Sequence, residues 1–287
     1  MNDLTQHALR RLELPVLTRN ARPATFVVDA IDEHGQVVPT HIAGEHPLTL
    51  YLNKRELVTL MTLGCAPEHL ALGWLRNQRL VQSIYDIASV QVDWETDSVA
   101  ITMHDPDFWE HALIDRRTAT RTVTTGCGQG TVFGDLMDDL DNIVIPEGEP
   151  IERETLLRIV DEIRMEQSIY KVAGAVHGCA LFWNRPDARG ELIHFVEDVG
   201  RHNAVDAIAG HMWLESLSGH DKIFYTTGRL TSEMVIKCAQ MEIPILISRS
   251  GLTKMGHDVA TKLGVTLIGR CVGKHHLVFS GAHRVRP

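Results

Sequence analysis

Five cysteines are spread through this sequence, and one of them sits where a nucleophile would be useful. Cys127 lies in Thr124-Thr125-Gly126-Cys127-Gly128-Gln129-Gly130-Thr131, with three glycines within five positions. Glycine removes side-chain bulk and tolerates positive φ, so the segment is expected to be a mobile loop whose sulfur can be approached from several directions. The thiolate is the nucleophilic form of cysteine, and a sulfur carrier needs one that can enter a donor's active site and later reach an acceptor. The competing reading is a glycine turn that happens to hold a small residue. Cys65 follows an apolar run, Cys179 falls mid-strand and Cys238 falls inside a helix, settings in which cysteine acts as a small buried hydrophobe. Cys271 stands between the two classes, with Arg270 and Lys274 nearby. No pair shows C-x-x-C spacing, which disfavours a disulfide framework, a zinc knuckle or a thioredoxin-type couple and fits a reducing compartment.

A second group of residues suits anions. Glu197-Asp198-Val199-Gly200-Arg201-His202-Asn203 ends an expected strand and opens an expected helix, so Arg201 and His202 can meet an anion there while Asp198 or Asn203 caps the helix. Thr226-Thr227-Gly228-Arg229-Leu230-Thr231-Ser232 places hydroxyls, a glycine and an arginine at another helix start, a composition suited to phosphate oxygens, although capping by Thr231 or Ser232 explains part of it. Ten Lys+Arg oppose four Asp+Glu from Asp221 onward, whereas the first 220 residues carry 18 bases and 33 acids. A basic tail on a chain of net charge −9 points to an anionic ligand near that tail and away from non-specific nucleic-acid binding. Uneven surface charge is the bland alternative. The 16 histidines invite a metal reading, and His177 with Cys179 would share one face of a strand, but no third and fourth ligand stands at a recognisable spacing, so no metal is expected.

The elements that must position these residues follow from periodicity. Residues 24–31 and those from Val37 read as a hairpin around Asp32–Gly35, Leu48–Leu52 alternates as a strand, and Leu57–Leu63 is a further candidate. Pro67 opens an amphipathic helix through Leu75, and Ser89–Val92 pairs with Ser98–Met103. After the break at Pro146–Pro150, helices and strands alternate: helix Ile151–Met165, strands Val176–Trp183 and Leu192–Val196, helix Asn203–Leu214, strand Ile223–Tyr225, a helix to Gln240, strand Ile245–Ser248, helix Thr253–Leu263, and strands Val265–Ile268 and Leu277–Phe279. Such alternation implies an α/β layered sheet with helices on both faces and ligands beyond the carboxyl ends of its strands. Those ends carry Gly228, Arg229, Ser248, Ser250, Gly251 and Arg270. The expected organisation is a β-rich N-terminal part (1–125), a glycine-rich cysteine loop with an acidic linker (126–150) and an α/β domain (151–287). Arginines interrupt the apolar residues of 1–20, and nowhere do eighteen apolar residues run together, so a cytoplasmic chain without a signal peptide or membrane span is expected.

With these residues in hand, the sequence resembles a known family, the formate dehydrogenase accessory sulfurtransferases (FdhD/NarQ). Glu197–Asp206 looks like the family signature almost letter for letter. Ala173–His177 resembles its T-G-G-V-H element, Thr227–Val235 its S-G-R-x-S-x-E-M-V element, and Val265–Gly269 the strand before its cofactor-contacting segment. The resemblance implies a cytidine-deaminase-like α-β-α layered sheet without the deaminase zinc, and neither H-x-E nor P-C-x-x-C occurs here. It implies that Cys127 accepts sulfur from a cysteine desulfurase as a persulfide. The sulfur then passes to the bis(molybdopterin guanine dinucleotide) molybdenum cofactor that formate dehydrogenase requires. It also implies a homodimer that binds the guanine nucleotide ends of the cofactor, whose contact segment falls on Arg270, Cys271, Val272, Gly273, Lys274 and His275. From the residues themselves, Arg201, Arg229, Arg270 and Lys274 are expected to hold the cofactor's pyrophosphates, with His202 beside Arg201.

Two departures qualify this picture. Many family members read C-G-x-C-G in the loop, but Gly130 replaces the second cysteine, so Cys127 has no resolving thiol; a relay needs only one. The segment 270–275 keeps only Gly273 and a basic character. Two other function classes remain as alternatives: a cofactor chaperone with no covalent sulfur step, and a zinc nucleotide deaminase, which the missing ligands disfavour.

Overall fold

The computed structural model describes residues 13–111 and 140–287; the Cys127 loop and the acidic residues Asp135–Asp139 after it lie outside them. Residues before 112 form strands β1 (Val16–Leu17), β2 (Thr25–Ile31), β3 (Val37–Ala43), β4 (His46–Leu52), β5 (Arg55–Thr62), β6 (Ile87–Asp93) and β7 (Ser98–Met103), with helix α1 (Pro67–Asn77) between β5 and β6. β2 and β3 pair only with each other, around the turn foreseen from the sequence: Asp32 Oδ1 accepts from the backbone N–H groups of His34 and Gln36, and Gly35 takes a φ of 77°. The other five strands form a sheet in the order β1-β6-β7-β4-β5. Its inward residues recur at period two (Leu48, Leu50 and Leu52; Val58 and Leu60; Val99 and Ile101), as one buried face requires. Asn53 and Lys54, both at positive φ, make the two-residue turn between β4 and β5.

The remainder supplies β8 (Ile151–Glu152), α2 (Arg153–Met165), β9 (His177–Trp183), β10 (Leu192–Asp198), α3 (Arg201–Leu214), β11 (Lys222–Thr226), α4 (Ser232–Gln240), β12 (Ile245–Ser248), α5 (Lys254–Leu263), β13 (Thr266–Val272), β14 (His275–Ser280) and β15 (Val285–Arg286). The second sheet runs β10-β9-β11-β12-β13-β14, with β11, β12 and β13 parallel and the flanking pairs antiparallel. Both faces are apolar because both are covered. Phe224, Leu246 and Leu267 pack with α3, α4 and α5, while Ile223, Tyr225, Ile245, Ile247 and Ile268 pack with α2. The mixed α/β architecture expected from the sequence is the one observed, with helices on both faces of this sheet.

Helices α1 and α3 join the two sheets. A Cβ on Gly73 would lie 1.7 Å from the carbonyl oxygen of Asp206, and one on Gly210 would lie 1.9 Å from that of His69, so only glycine allows this crossing. α3 is buried nearly all round, as befits a helix sandwiched between layers. One apolar core therefore runs from β4 through α1 and α3 to β12. Among the described residues no helix is long and apolar enough to cross a membrane.

Candidate functional site

The carboxyl ends of β10, β11, β12 and β13 and the amino end of β9 meet along one edge of the second sheet. A cleft of about 560 Å³ opens there, within the ordinary size of a ligand pocket. Val160, Ile163, Phe195 and Tyr225 give it apolar walls; Ser168, Tyr170, Thr227 and Ser250 supply polar groups; Arg164, Lys171 and Arg249 supply charge. Of the residues expected to contact a ligand, Cys271, Val272 and Gly273 line it. The structure also shows what the segment 270–275 is. β13 continues to Val272 and β14 begins at His275, so the segment is a hairpin tip rather than a loop between shorter strands. Arg270, Lys274 and His275 are exposed on that hairpin and do not line the cleft. Arg270 occupies a left-handed conformation (φ 55°) at a bulge, with its N–H donating to Ser250 O at 2.8 Å.

The stretch 197–206 divides between structure and charge. Asp198 is buried and accepts from Thr62 Oγ1 (2.5 Å), Leu63 N (3.0 Å), Gly200 N (3.0 Å) and Asn203 Nδ2 (2.8 Å), which pins the turn before α3 to β5. Burial raises its carboxyl above the usual range, and the four donors oppose that rise. Glu197 accepts from the backbone of Ile169 and Tyr170. Neither Asp198 nor Asn203 caps α3, contrary to expectation: Gly200 is the N-cap, and both side chains are spent tying the turn to β5. Thr231 and Ser232 likewise give α4 no side-chain cap.

Arg201 and His202 follow at the first turn of α3. Arg201 lies over the turn at Gly228, where a Cβ would approach its side chain to 3.0 Å. Its Nε is buried without a hydrogen-bond partner among the described residues. Arg201 and Arg229 both lower the pKa of His177, whose imidazole is already driven towards neutrality by burial. Both guanidinium groups therefore act on His177, which lines the cleft, although neither Arg201 nor Arg229 lines it. His202 turns inward instead, with Nε2 3.2 Å from Glu233. Burial holds it down at about 4, because Glu233 already shares its charge with Lys237. Cys179, expected on the same strand face as His177, packs into the core beside α3 and donates to Thr226 Oγ1.

Sequence reasoning passed over Arg249, Lys171 and Arg164. Arg249 had a visible signal: Ser248-Arg249-Ser250-Gly251 follows a strand just as Thr226–Arg229 does. Much of the basic tail is already committed. Lys222 pairs with Asp221, Lys237 with Asp206 and Lys254 with Asp258. Arg229, Arg249, Arg270 and Lys274 form no ion pair among the described residues, and all four belong to this edge of the sheet.

At each described thiol, burial disfavours the thiolate. Burial pushes Cys65 up to about 11 and Cys179 and Cys271 up to about 12, and it raises Cys238 well above the ordinary thiol value. Each is a protonated, packed side chain near neutral pH.

The family model described as the FdhD/NarQ family matches residues 43–286. This chain belongs to that family. Among its FdhD/NarQ relatives, the sulfur carrier protein FdhD of Wolinella succinogenes is 30% identical over 246 residues, covering 84% of this chain and 81% of the relative. Those of Listeria innocua and Bacillus subtilis are each 28% identical, covering 87% and 88% of this chain and 93% and 94% of the relatives. A crystal structure described as that of a formate dehydrogenase accessory protein from Desulfotalea psychrophila superposes with a TM-score of 0.72 at 25% identity, covering 92% of this chain and all of the other.

Proposed function

We propose that this chain is a sulfur carrier that takes a persulfide from a cysteine desulfurase onto Cys127 and delivers the sulfur to the bis(molybdopterin guanine dinucleotide) molybdenum cofactor of formate dehydrogenase. The observation that carries the reading is the state of the other cysteines: four of the five are buried or half-buried, and burial holds all four protonated. Cys127 is then the one candidate for a transferable sulfur, and the relatives are named sulfur carriers. In the loading step the Cys127 thiolate attacks the terminal sulfur of the donor's persulfide. The donor's S–S bond breaks as the new one forms, the donor leaves as a thiolate, and no external oxidant is needed.

The cleft supports the second half. Arg201, Arg229 and Arg249 would hold the phosphates of the guanine nucleotide ends, each charge-assisted bond being worth about 1.5–3 kcal/mol. Cys271, Val272 and Gly273 shape the wall, Arg270, Lys274 and His275 give the rim its charge, and His202 steadies the start of α3. The reading includes a cytoplasmic homodimer.

Incubation with a desulfurase and cysteine should add about 32 Da to the peptide containing Cys127, and Cys127→Ala should remove both that adduct and the maturation of formate dehydrogenase. An adduct confined to Cys65 or Cys271 would refute the assignment. A Cys127→Ala chain that still matures the enzyme would favour a chaperone instead.

A further inference from the structure

Away from the cleft, three histidines from three elements converge. His69 lies in the first turn of α1, His211 in the last turn of α3, and His194 on β10 beside an irregularity in its pairing with β9. One ring nitrogen of each lies within 4.8 Å of one from each of the others. The His194 and His211 rings stack at 4.0 Å and 13°, and His69 meets both edge-on at 5.8 and 5.6 Å. We propose that His69, His194 and His211 bind a divalent first-row transition ion, with zinc the best match, as a clip that fastens α1 to α3 and β10.

The helix crossing builds the site. Gly210 touches the carbonyl oxygen of His69, so the side chain of His211, one residue on, is delivered beside that of His69. Three imidazoles are a sufficient protein ligand set for zinc, with a fourth position for water or a carboxylate. Glu215 acts electrostatically on both His69 and His211, and with His69 it lines a cleft of about 770 Å³ against β1 and Cys65, so either fourth ligand is at hand. Zinc–nitrogen bonds of about 2.0–2.1 Å in a tetrahedron need nitrogens about 3.4 Å apart, so the nitrogens must close by little more than 1 Å and the stacked His194 and His211 rings must turn until the ion lies in the plane of each.

Simple aromatic packing of three rings leaves one fact unexplained. His194 Nε2 is buried with no hydrogen-bond partner among the described residues, an arrangement that costs free energy unless something accepts or binds that nitrogen. Sequence spacing could not show this set, since 69, 194 and 211 share no motif and only the fold unites them.

The test is to strip the full-length protein with a chelator and titrate it with Co²⁺ and then Zn²⁺. One equivalent of Co²⁺ should give a visible d–d band that Zn²⁺ displaces, and Zn²⁺ should raise the melting temperature. His194→Ala and the gentler His69→Gln should each weaken binding by more than the ~10–100-fold typical of losing a supporting partner of a ligand. The metal-free His69→Gln protein should melt like the metal-free parent, which separates lost ligation from lost folding. Cys127→Ala and a His275→Ala/His276→Ala double variant should bind as the parent does. Absence of the band, or its persistence in both triad variants, would overturn the site, as would its loss only in the Cys127 or His275/His276 variants.

Discussion

The seam between α1 and α3 and the cleft at the sheet edge draw on the same ten residues, Glu197–Asp206, yet they balance their charges in opposite ways. In the seam every charge has its answer. Asp206 accepts from Asn77 Nδ2 (2.7 Å) and Lys237 Nζ (2.8 Å), Lys237 also meets Glu233, and Asp198 holds four donors. Around the cleft some charges stand open: Arg229 and Arg249 are exposed and have no acidic partner among the described residues. A buried network left half-satisfied would be costly, whereas an exposed one left unsatisfied is available to a ligand. The stretch therefore reads as a foundation on its acidic side and, under the proposed function, as a receptor on its basic side.

The largest effect should come from breaking the seam. Asp206→Ala leaves the Lys237 ammonium with only the longer contact to Glu233 in a site closed to water, and removing one partner of a buried pair costs about 3–5 kcal/mol. Urea denaturation should show that loss as a lower midpoint at an unchanged m-value. A loss under about 1 kcal/mol would mean that Lys237 escapes to water or loses its proton, and the seam would not be the closed network described.

The cleft should respond the other way. Arg249→Met should leave the urea midpoint within about 0.5 kcal/mol of the parent, because it removes no ion pair. The same change should weaken guanosine diphosphate by about tenfold or more, the equivalent of about 1.5 kcal/mol or more of charge-assisted hydrogen bonding. Unchanged nucleotide affinity would take Arg249 out of the receptor.

Much of the second sheet was legible because its strands alternate between two buried faces and its helices begin at hydroxyl- or glycine-bearing turns. Strand ends were less so: Arg270–Val272 extend β13 through a bulge that depends on pairing with β14, a long-range fact that local pattern does not carry. The pairing of β4 with β7 and the crossing of α1 over α3 were invisible for the same reason. Around the cleft, Arg201 and Arg229 were marked out by the residues of their turns and 271–273 by the family resemblance, while Lys171 and Arg164 reach the cleft only through packing. Asp198 shows the limit of capping rules: its position before a helix fits a cap, but Thr62 and Leu63, far away in sequence, claim its oxygens.

The subtlest test lies at the border between the two regions, where His202 follows Arg201 but faces Glu233. Burial holds His202 at about 4, while an exposed histidine in the unfolded chain titrates near 6.5. As pH falls the unfolded chain takes up this proton first, so stability present above about 6.5 is lost progressively down to about 4. Between about pH 7 and about pH 5.5 this group alone should remove about 1 kcal/mol. His202→Gln should flatten the parent's acid slope by that amount, read from urea midpoints at the two pH values, with the other histidines cancelling in the comparison. An equally steep slope in the variant would mean that Glu233 keeps His202 charged. Lys237 would then have to be balanced by Asp206 alone, and the seam would extend one residue further towards the cleft than its geometry indicates.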